Sequence, residues 1–300
     1  MSAELQNGAA APTLKTGFHY LPENVYHGLN ACSQSRLKLL DRSALHLLHE
    51  LRNPEDPSPQ MKFGNLCHKS VWEPEAFQNS YVAIPDLTEG ILTKDGKPAS
   101  SPKATTEYKD RLAAFARANI GREFVDQSDW DKCLAISERL YTHERIGVLL
   151  SEVSQTELSA LWQDSDTGLL CKARIDADSS DLETVIDLKT TRDASPAEFE
   201  RQIYALKYHW QGAFYLDAMQ ALGKTRTDFL IIAVETEAPY ACAVYNLRPE
   251  IIELARREMA PLKRFYKDCL ARGEWPGYPT DIVDIGLPAW AKSKIEKELN

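Results

Sequence analysis

Two aspartates and a lysine stand within one short stretch of this 300-residue chain, CKARIDADSSDLETVIDLKTT at residues 171–191. Asp176 is followed, after a gap of ten residues, by Asp187 and Lys189. Hard cations such as Mg²⁺ bind through one or two carboxylates together with water and substrate oxygens. A lysine beside such a cation can reach the attacking water or the negative charge of a transition state. The three residues at this spacing are therefore suited to metal-dependent cleavage of a phosphodiester.

A hairpin predicted around these residues would bring the two carboxylates together. Charged and apolar residues alternate in LLCKARIDA and again in TVIDLKT, which is the period of two that a β-strand requires. Asp176 then shares a strand face with Lys172 and Arg174, and Asp187 shares one with Lys189. The intervening DADSSD contains turn-forming residues, so the strands are predicted to be antiparallel neighbours. Asp176 and Asp187 can then lie close together.

The same residue types also occur in hairpins that have only a structural role. A solvent-facing hairpin often carries a ladder of charges across its strands. The pattern alone therefore leaves the structural interpretation open. The helix predicted to follow is expected to cover part of the sheet, and charged groups near a covered face need partners or a metal ion.

That helix is predicted in SPAEFERQIYALKYHWQGAFYLDAMQALG. Ser195 is placed as its N-cap, Glu198 is placed to complete a capping box, and Gly223 marks its end. Gln211 and Tyr215 are four residues apart, so both lie on one helix face. Tyr208 belongs to the same stripe, which is also compatible with an amphipathic core face that has polar tips, and its ring is expected to have a packing role.

The rest of the chain is predicted to have a helical first half and a sheet-forming second half. Residues 1–17 lack hydrophobic periodicity and are expected to form a flexible leader. The stretch 85–106 is rich in Gly, Pro, Ser and Thr and is predicted to be a long mobile loop. The other predicted elements are helices over 33–51, from near 61 to Pro74, over 105–119, 128–149 and 249–272, and strands over 155–162, 229–235 and 241–247.

Composition limits the class of protein. The chain is 43% hydrophobic and 26% charged, as in ordinary globular proteins, and no apolar run reaches the roughly 18 residues that a membrane span needs. Its six cysteines are scattered without CxxC pairs, which argues against zinc or iron–sulfur sites and predicts a cytoplasmic protein. The formal net charge of -9 disfavours tight non-specific coating of DNA but leaves metal-dependent DNA chemistry open.

Several longer segments resemble a known nuclease family. KARIDADSSDLETVIDLKTTRD, followed by YALKYHWQGAFYLDAM, looks like the nuclease core of the RecE family, the exonuclease VIII branch of the PD-(D/E)xK superfamily. The resemblance extends to FGNLCHKSVWEPEAF upstream and to EWPGYPTDIVDIGLPAWA near the C-terminus, so it spans most of residues 20–292. One departure is Ile175, which stands where the superfamily pattern has proline, a position that accepts other apolar residues.

The resemblance implies roles for individual residues. Asp176 and Asp187 match the metal-binding acids, and Lys189 matches the catalytic lysine. His68 matches an upstream histidine placed beside the metal, and the Leu188 carbonyl would be a further metal ligand. Gln211 and Tyr215 match a QxxxY motif that would position a phosphate and the metal site. Glu157 is a weaker candidate for an additional acid.

The resemblance also implies a fold and an activity. The expected fold is an α/β PD-(D/E)xK core, a mixed central sheet flanked by helices, with a mainly helical part over 18–150 and the catalytic core over 151–300 of a single domain. The expected enzyme is an exodeoxyribonuclease that uses Mg²⁺, for which Mn²⁺ can substitute. It would degrade linear double-stranded DNA from 5′ to 3′.

The implied partners are double-stranded DNA ends and a phage-type single-strand annealing protein, RecT-like, that receives the 3′ overhang. A ring-shaped homo-oligomer and no membrane association are also implied. Two alternatives stay open on the residues alone. One is an endonuclease or single-strand nuclease of the same fold, and the other is a non-catalytic DNA-binding protein.

Overall fold

The computed structural model describes residues 14–299, and a six-stranded sheet forms its centre. In their spatial order, its strands are β1 (Gly17–His19), β4 (Gln155–Gln163), β5 (Leu170–Ser179), β6 (Thr184–Thr191), β7 (Asp228–Glu235) and β8 (Cys242–Asn246). β6 and β7 are parallel, and the other neighbouring strands are antiparallel. The expected mixed α/β architecture is therefore confirmed.

Helices cover both faces of the sheet, which explains why its central strands are buried on both sides. One face packs against α2 (Gln34–Arg42), α3 (Ala44–Arg52), α9 (Pro196–Ala205), α10 (Tyr208–Ala221) and α11 (Pro249–Arg272). The other packs against α4 (Pro59–Trp72), α5 (Pro74–Ser80), α7 (Gln127–Thr142) and α8 (Glu144–Ser151). Along β6, Val185 contacts the first core, whereas Ile186 and Leu188 contact the second, as the predicted alternation requires.

The remaining elements lie outside the central sheet. α1 (Glu23–Gly28) follows β1. A parallel pair of strands, β2 (Tyr81–Ile84) and β3 (Glu123–Asp126), encloses the predicted 85–106 loop and α6 (Thr106–Ala118). The loop contains a bridge between Leu92 and Pro98 and a short 3-10 turn over 102–104. α12 (Ala289–Leu299) ends the described chain.

The hairpin between β5 and β6 forms as predicted. Ala177 pairs with Ile186 and Ser179 pairs with Thr184, so the turn lies between residues 179 and 184. The same register places Asp176 opposite Asp187, but the ladder ends one pair earlier. Because strand pairing stops there, the two carboxylates lie where the strands are no longer joined by backbone hydrogen bonds.

The long helix predicted over 195–223 is wrong as a single element. It divides into α9 and α10, because Lys207 adopts a left-handed conformation with φ of 57°. The capping box is also absent, since the Ser195 side chain makes no capping hydrogen bond. The backbone N–H of Ser195 instead donates to Asp193 Oδ1. Lysine has no special preference for positive φ, so neither the residue type nor the apolar periodicity signalled the break.

Two more predicted helices are divided by capping residues. The helix predicted over 33–51 breaks at Ser43, whose hydroxyl accepts the His46 N–H and caps α3. The helix predicted over 128–149 breaks at His143, whose Nδ1 accepts backbone N–H groups of α8. Pro74 ends α4 as predicted, yet it also begins α5 at the first helical position.

The last residue of the predicted leader, residues 1–17, belongs to the sheet. Gly17 already belongs to β1, where it pairs with Leu161 of β4. A strand of three residues is too short for hydrophobic alternation to reveal it. Residues 1–13 lie outside the described residues. Among residues 14–299, no helix is both long and apolar enough to cross a membrane.

Close packing of α10 against β7 depends on Gly212. A Cβ at this position would lie 2.7 Å from Phe229 Cδ1. We therefore expect Gly212→Ala to lower the free energy of unfolding by about 1–3 kcal/mol through overpacking, measured by urea denaturation. Gly64→Ala in α4 is the control, since its Cβ would meet nothing closer than Thr190 Oγ1 at 3.6 Å. Equal stability of the Gly212 variant and the wild type would contradict this packing argument.

Candidate active site

The two predicted aspartates lie together beneath α10, at the point where β5 and β6 separate. Asp187 is fully buried and Asp176 is 8% exposed. The Leu188 N–H donates to Asp176 Oδ2 at 3.3 Å, in place of a strand-to-strand backbone hydrogen bond. The end of the ladder thus orients the first acid toward the second strand.

Asp187 has two different partners for its two oxygens. Gln211 Nε2 of α10 donates to Oδ1 at 2.7 Å. Lys189 Nζ lies 2.5 Å from Oδ2, but Oδ2 is buried without any hydrogen bond of acceptable geometry. We interpret the lysine contact as a close ion pair whose geometry is not that of an ordinary hydrogen bond.

Burial shifts the pKa values of all three charged groups. Desolvation raises the pKa of Asp187 to about 7 and that of Asp176 to about 6, and the negative charge of Asp176 contributes to the shift of Asp187. Burial alone would lower the pKa of Lys189, but Asp187 and Asp176 raise it above its usual value. When both carboxylates are ionised they share one ammonium group, so the site then has one more negative charge than Lys189 neutralises.

His68 of α4 reaches the same site from the opposite core. Its Nε2 lies 2.6 Å from the Leu188 carbonyl oxygen, and its Nδ1 lies 3.2 Å from Asp176 Oδ2. Burial, followed by the charge of Lys189, lowers the pKa of His68 and favours the neutral ring. A neutral imidazole has one N–H. Both ring nitrogens face oxygens, so the neutral ring can donate a hydrogen bond in only one of these two contacts.

The QxxxY pair belongs to the same hydrogen-bonded group. Gln211 Nε2 donates to Tyr215 Oη at 3.0 Å as well as to Asp187. Tyr215 is 8% exposed, and burial together with Asp176 and Asp187 raises its pKa well above the ordinary value, so it stays neutral. The i, i+4 spacing predicted from the sequence therefore supports Asp187 rather than presenting both side chains to solvent.

Glu157 lies in β4, opposite Asp176 of the neighbouring strand β5. Its neighbours Thr156 and Leu158 pair with Ala177 and Ile175, but Glu157 itself has a φ of 52° and is absent from the ladder. Its carboxylate forms an ion pair with Arg174 Nε at 2.5 Å. Positive φ is uncommon for glutamate and marks a backbone held by its surroundings.

The donor set fits a hard divalent cation. The site offers two buried carboxylates against one ammonium group, and a Leu188 carbonyl oxygen that lies 2.6 Å from His68 Nε2. No three His, Cys, Asp or Glu side chains within residues 14–299 are arranged to hold an ion by themselves. Mg²⁺ often binds through one or two carboxylates and keeps several waters and substrate oxygens, so such a site need not be preassembled from side chains.

Tyr208, which the sequence predicts only as a packing residue, lies near the site. The Tyr208 ring, at the first position of α10, lies 5.1 Å from Lys189 Nζ. Tyr208 follows the left-handed Lys207 directly. Because the predicted helix had no break there, the sequence placed this ring on a continuous apolar stripe.

A solved structure shares the fold. The Eubacterium rectale protein named "Putative exonuclease" matches with a TM-score of 0.58 at 12% identity, covering 92% of this chain and 98% of that chain. At this identity the likeness concerns the fold alone. A phage related exonuclease from Haemophilus somnus 129PT matches with a TM-score of 0.30 at 12% identity, covering 66% of this chain and 100% of that chain, which is too weak for any argument. No curated protein matches the chain.

A family model covers most of the sequence. The model described as "PDDEXK-like domain of unknown function (DUF3799)" matches residues 33–284. This range includes both aspartates, Lys189, His68 and the QxxxY pair. The chain belongs to this PDDEXK-like family.

Proposed function

We propose that the chain is a metal-dependent nuclease in which Asp176, Asp187 and Lys189 carry out phosphodiester hydrolysis. The observation that supports this most strongly is the buried acid pair with a lysine that neutralises only part of its charge. A purely structural ion-pair network would balance its charges, because unpaired buried charge is costly. The membership of the PDDEXK-like family supports the same conclusion.

Each residue of the site has a separate task in this proposal. Asp176, Asp187 and the Leu188 carbonyl hold the cation, and Gln211 fixes the orientation of Asp187 through its hydrogen bond to Oδ1. Lys189 keeps its charge beside Asp187, so it orients the attacking water and stabilises negative charge on the phosphate. When bound, a divalent cation such as Mg²⁺ or Mn²⁺ polarises the phosphate and neutralises developing charge.

His68 positions the cation site through Asp176 and Leu188. Its ring bridges the two, and its low proton affinity lets one nitrogen act as an acceptor. A neutral imidazole nitrogen is also a common metal ligand. We therefore assign His68 either a direct contact with the cation or a hydrogen bond to a ligand of it.

The finer proposal is a 5′-to-3′ exodeoxyribonuclease on linear double-stranded DNA. It is supported by the resemblance of the core segments to the RecE family and by the shared fold of the Eubacterium rectale protein. The 3′ overhang would then pass to a RecT-like single-strand annealing protein. A ring-shaped homo-oligomer would let a chain with a net charge of -9 retain DNA by enclosing it.

Topologically distinct substrates test the exonuclease proposal. With Mg²⁺, we expect the wild type to degrade linear duplex DNA and to leave a covalently closed circle of the same sequence intact. A single 5′ or 3′ label on the linear substrate gives the polarity, because a 5′-to-3′ enzyme releases the 5′ label first. Cleavage of the closed circle would establish an endonuclease instead, and preference for single strands would establish the second alternative.

A further inference from the structure

Lys38 lies beside the candidate active site without an anionic partner. It projects from the middle of α2, half-buried, in a region where charged groups normally pair. Within residues 14–299, no carboxylate lies within ion-pair distance of its Nζ and no carbonyl accepts a hydrogen bond from it. By contrast, Arg36 on the same helix bonds Asn30, Tyr266 and the Leu29 carbonyl.

The ring of Tyr208 connects Lys38 to the catalytic lysine. Lys38 Nζ lies 6.0 Å from the ring centroid, and Lys189 Nζ lies 5.1 Å from it. Both ammonium groups therefore approach one aromatic ring, a contact that stabilises cations only modestly. The two like charges repel each other, and the carboxylate of Asp187 beside Lys189 offsets this repulsion only in part.

Two side-chain contacts hold α2 against the start of α10. Gln34 Nε2 donates to the Lys207 carbonyl at 3.4 Å, and Lys207 Nζ lies 4.0 Å from Asp41 Oδ2. Both α2 residues lie on the side that carries Lys38, at i-4 and i+3 from it. The left-handed Lys207 thus places the Tyr208 ring near both lysines.

We propose that Lys38 binds a backbone phosphate of the DNA strand next to the phosphate that is cleaved at Lys189. A lysine is a compact point charge that suits a phosphate oxygen. Adjacent phosphates of one strand would then meet two lysines that approach the same aromatic ring. This assignment rests on the proposed nuclease function, and it adds a substrate-binding residue that none of the sequence motifs contains.

The electrostatics of the group agree with an anionic ligand. Burial, followed by repulsion from Lys189, lowers the pKa of Lys38 to about 8. A phosphate at this position would favour the charged form and offset the repulsion between the two ammonium groups. A surface lysine without a function would need neither burial nor this proximity.

Neutralising single phosphates tests the proposal. A set of linear duplexes, each with one methylphosphonate near the 5′ end, is used for binding in Ca²⁺ and for single-turnover cleavage in Mg²⁺. We expect Lys38→Ala to weaken binding of unmodified DNA about tenfold, and one methylphosphonate position to weaken wild-type binding equally. Combining the two changes should cost no more than either alone, because both remove the same contact. Lys38→Arg should restore most of the affinity.

The controls separate this proposal from the nuclease proposal. Lys267→Ala, at an exposed lysine of α11, should leave binding unchanged. The backbone contact is wrong if Lys38→Ala and every methylphosphonate weaken DNA binding independently, so that their fold-losses of affinity multiply. It is also wrong if the effect of Lys38→Ala on affinity disappears when only the 5′-terminal phosphate is removed. If the wild type binds but does not cleave, the nuclease proposal fails, and the binding data still decide the role of Lys38.

Discussion

Lys189→Ala will lower the single-turnover rate of DNA cleavage by about 10³-fold, because it removes the ammonium group that pairs with Asp187. DNA affinity in Ca²⁺ should change far less, since the lysine acts on the attacking water and on charge that develops during the reaction. Rates are measured with enzyme in excess over a labelled linear duplex, so that product release does not contribute.

Lys132→Ala is a suitable control for this substitution. Lys132 forms an exposed ion pair with Glu237, and surface pairs of this kind contribute little to stability. The variant should cleave DNA at the wild-type rate. A Lys189→Ala enzyme that retains more than about one tenth of the wild-type rate would show that the lysine is not part of the chemistry.

Asp176→Asn will abolish cleavage and yet stabilise the metal-free protein. In the wild type at pH 8, two buried carboxylates repel each other and share one lysine, and the variant removes this repulsion while keeping the acceptor for the Leu188 N–H. We expect a gain in the free energy of unfolding on the order of 2 kcal/mol at pH 8. Thermal unfolding in EDTA measures it.

The sign of the pH dependence follows from the direction of the pKa shift. The folded state raises the pKa of Asp176 to about 6, above its value in the unfolded chain. The folded state therefore holds more protons between the two values, and the wild type loses stability as the pH rises through this range. The advantage of Asp176→Asn should thus be small near pH 3.5, below both pKa values, and full at pH 8. Adding Mg²⁺ or Mn²⁺ should stabilise the wild type but not the variant.

A stability gain that is independent of pH would contradict this account. It would mean that Asp176 is not ionised in the folded protein, or that Lys189 and His68 already balance its charge. Equal stabilisation of both proteins by metal would place the cation elsewhere.

The sequence predicted the centre of this site well because local patterns determine it. The alternation in β5 and β6 and the turn between them place Asp176 and Asp187 together, and the helical spacing places Gln211 with Tyr215. These features depend on neighbours within about a dozen residues, for which the strand and helix periods are reliable guides.

Contacts between distant segments could not be predicted in the same way. Lys38 meets Tyr208 and Lys189 only because α2 packs beside the start of α10, and nothing near residue 38 signals this. The break at Lys207 is similar, since a lysine in the left-handed region depends on tertiary contacts such as the Gln34 hydrogen bond. The ion pair of Glu157 with Arg174 was also not predicted, although Glu157 was a weaker candidate for an additional acid of the site.

The most direct test of the central claim is digestion of linear duplex DNA by purified wild type, with Mg²⁺ or with EDTA. Asp187→Asn, prepared in parallel, controls for contaminating nucleases. We predict that only the wild type with Mg²⁺ degrades the DNA. Equal degradation by Asp187→Asn, or no degradation by the wild type with either Mg²⁺ or Mn²⁺, would contradict the assignment of the acid pair as a metal-dependent nuclease site.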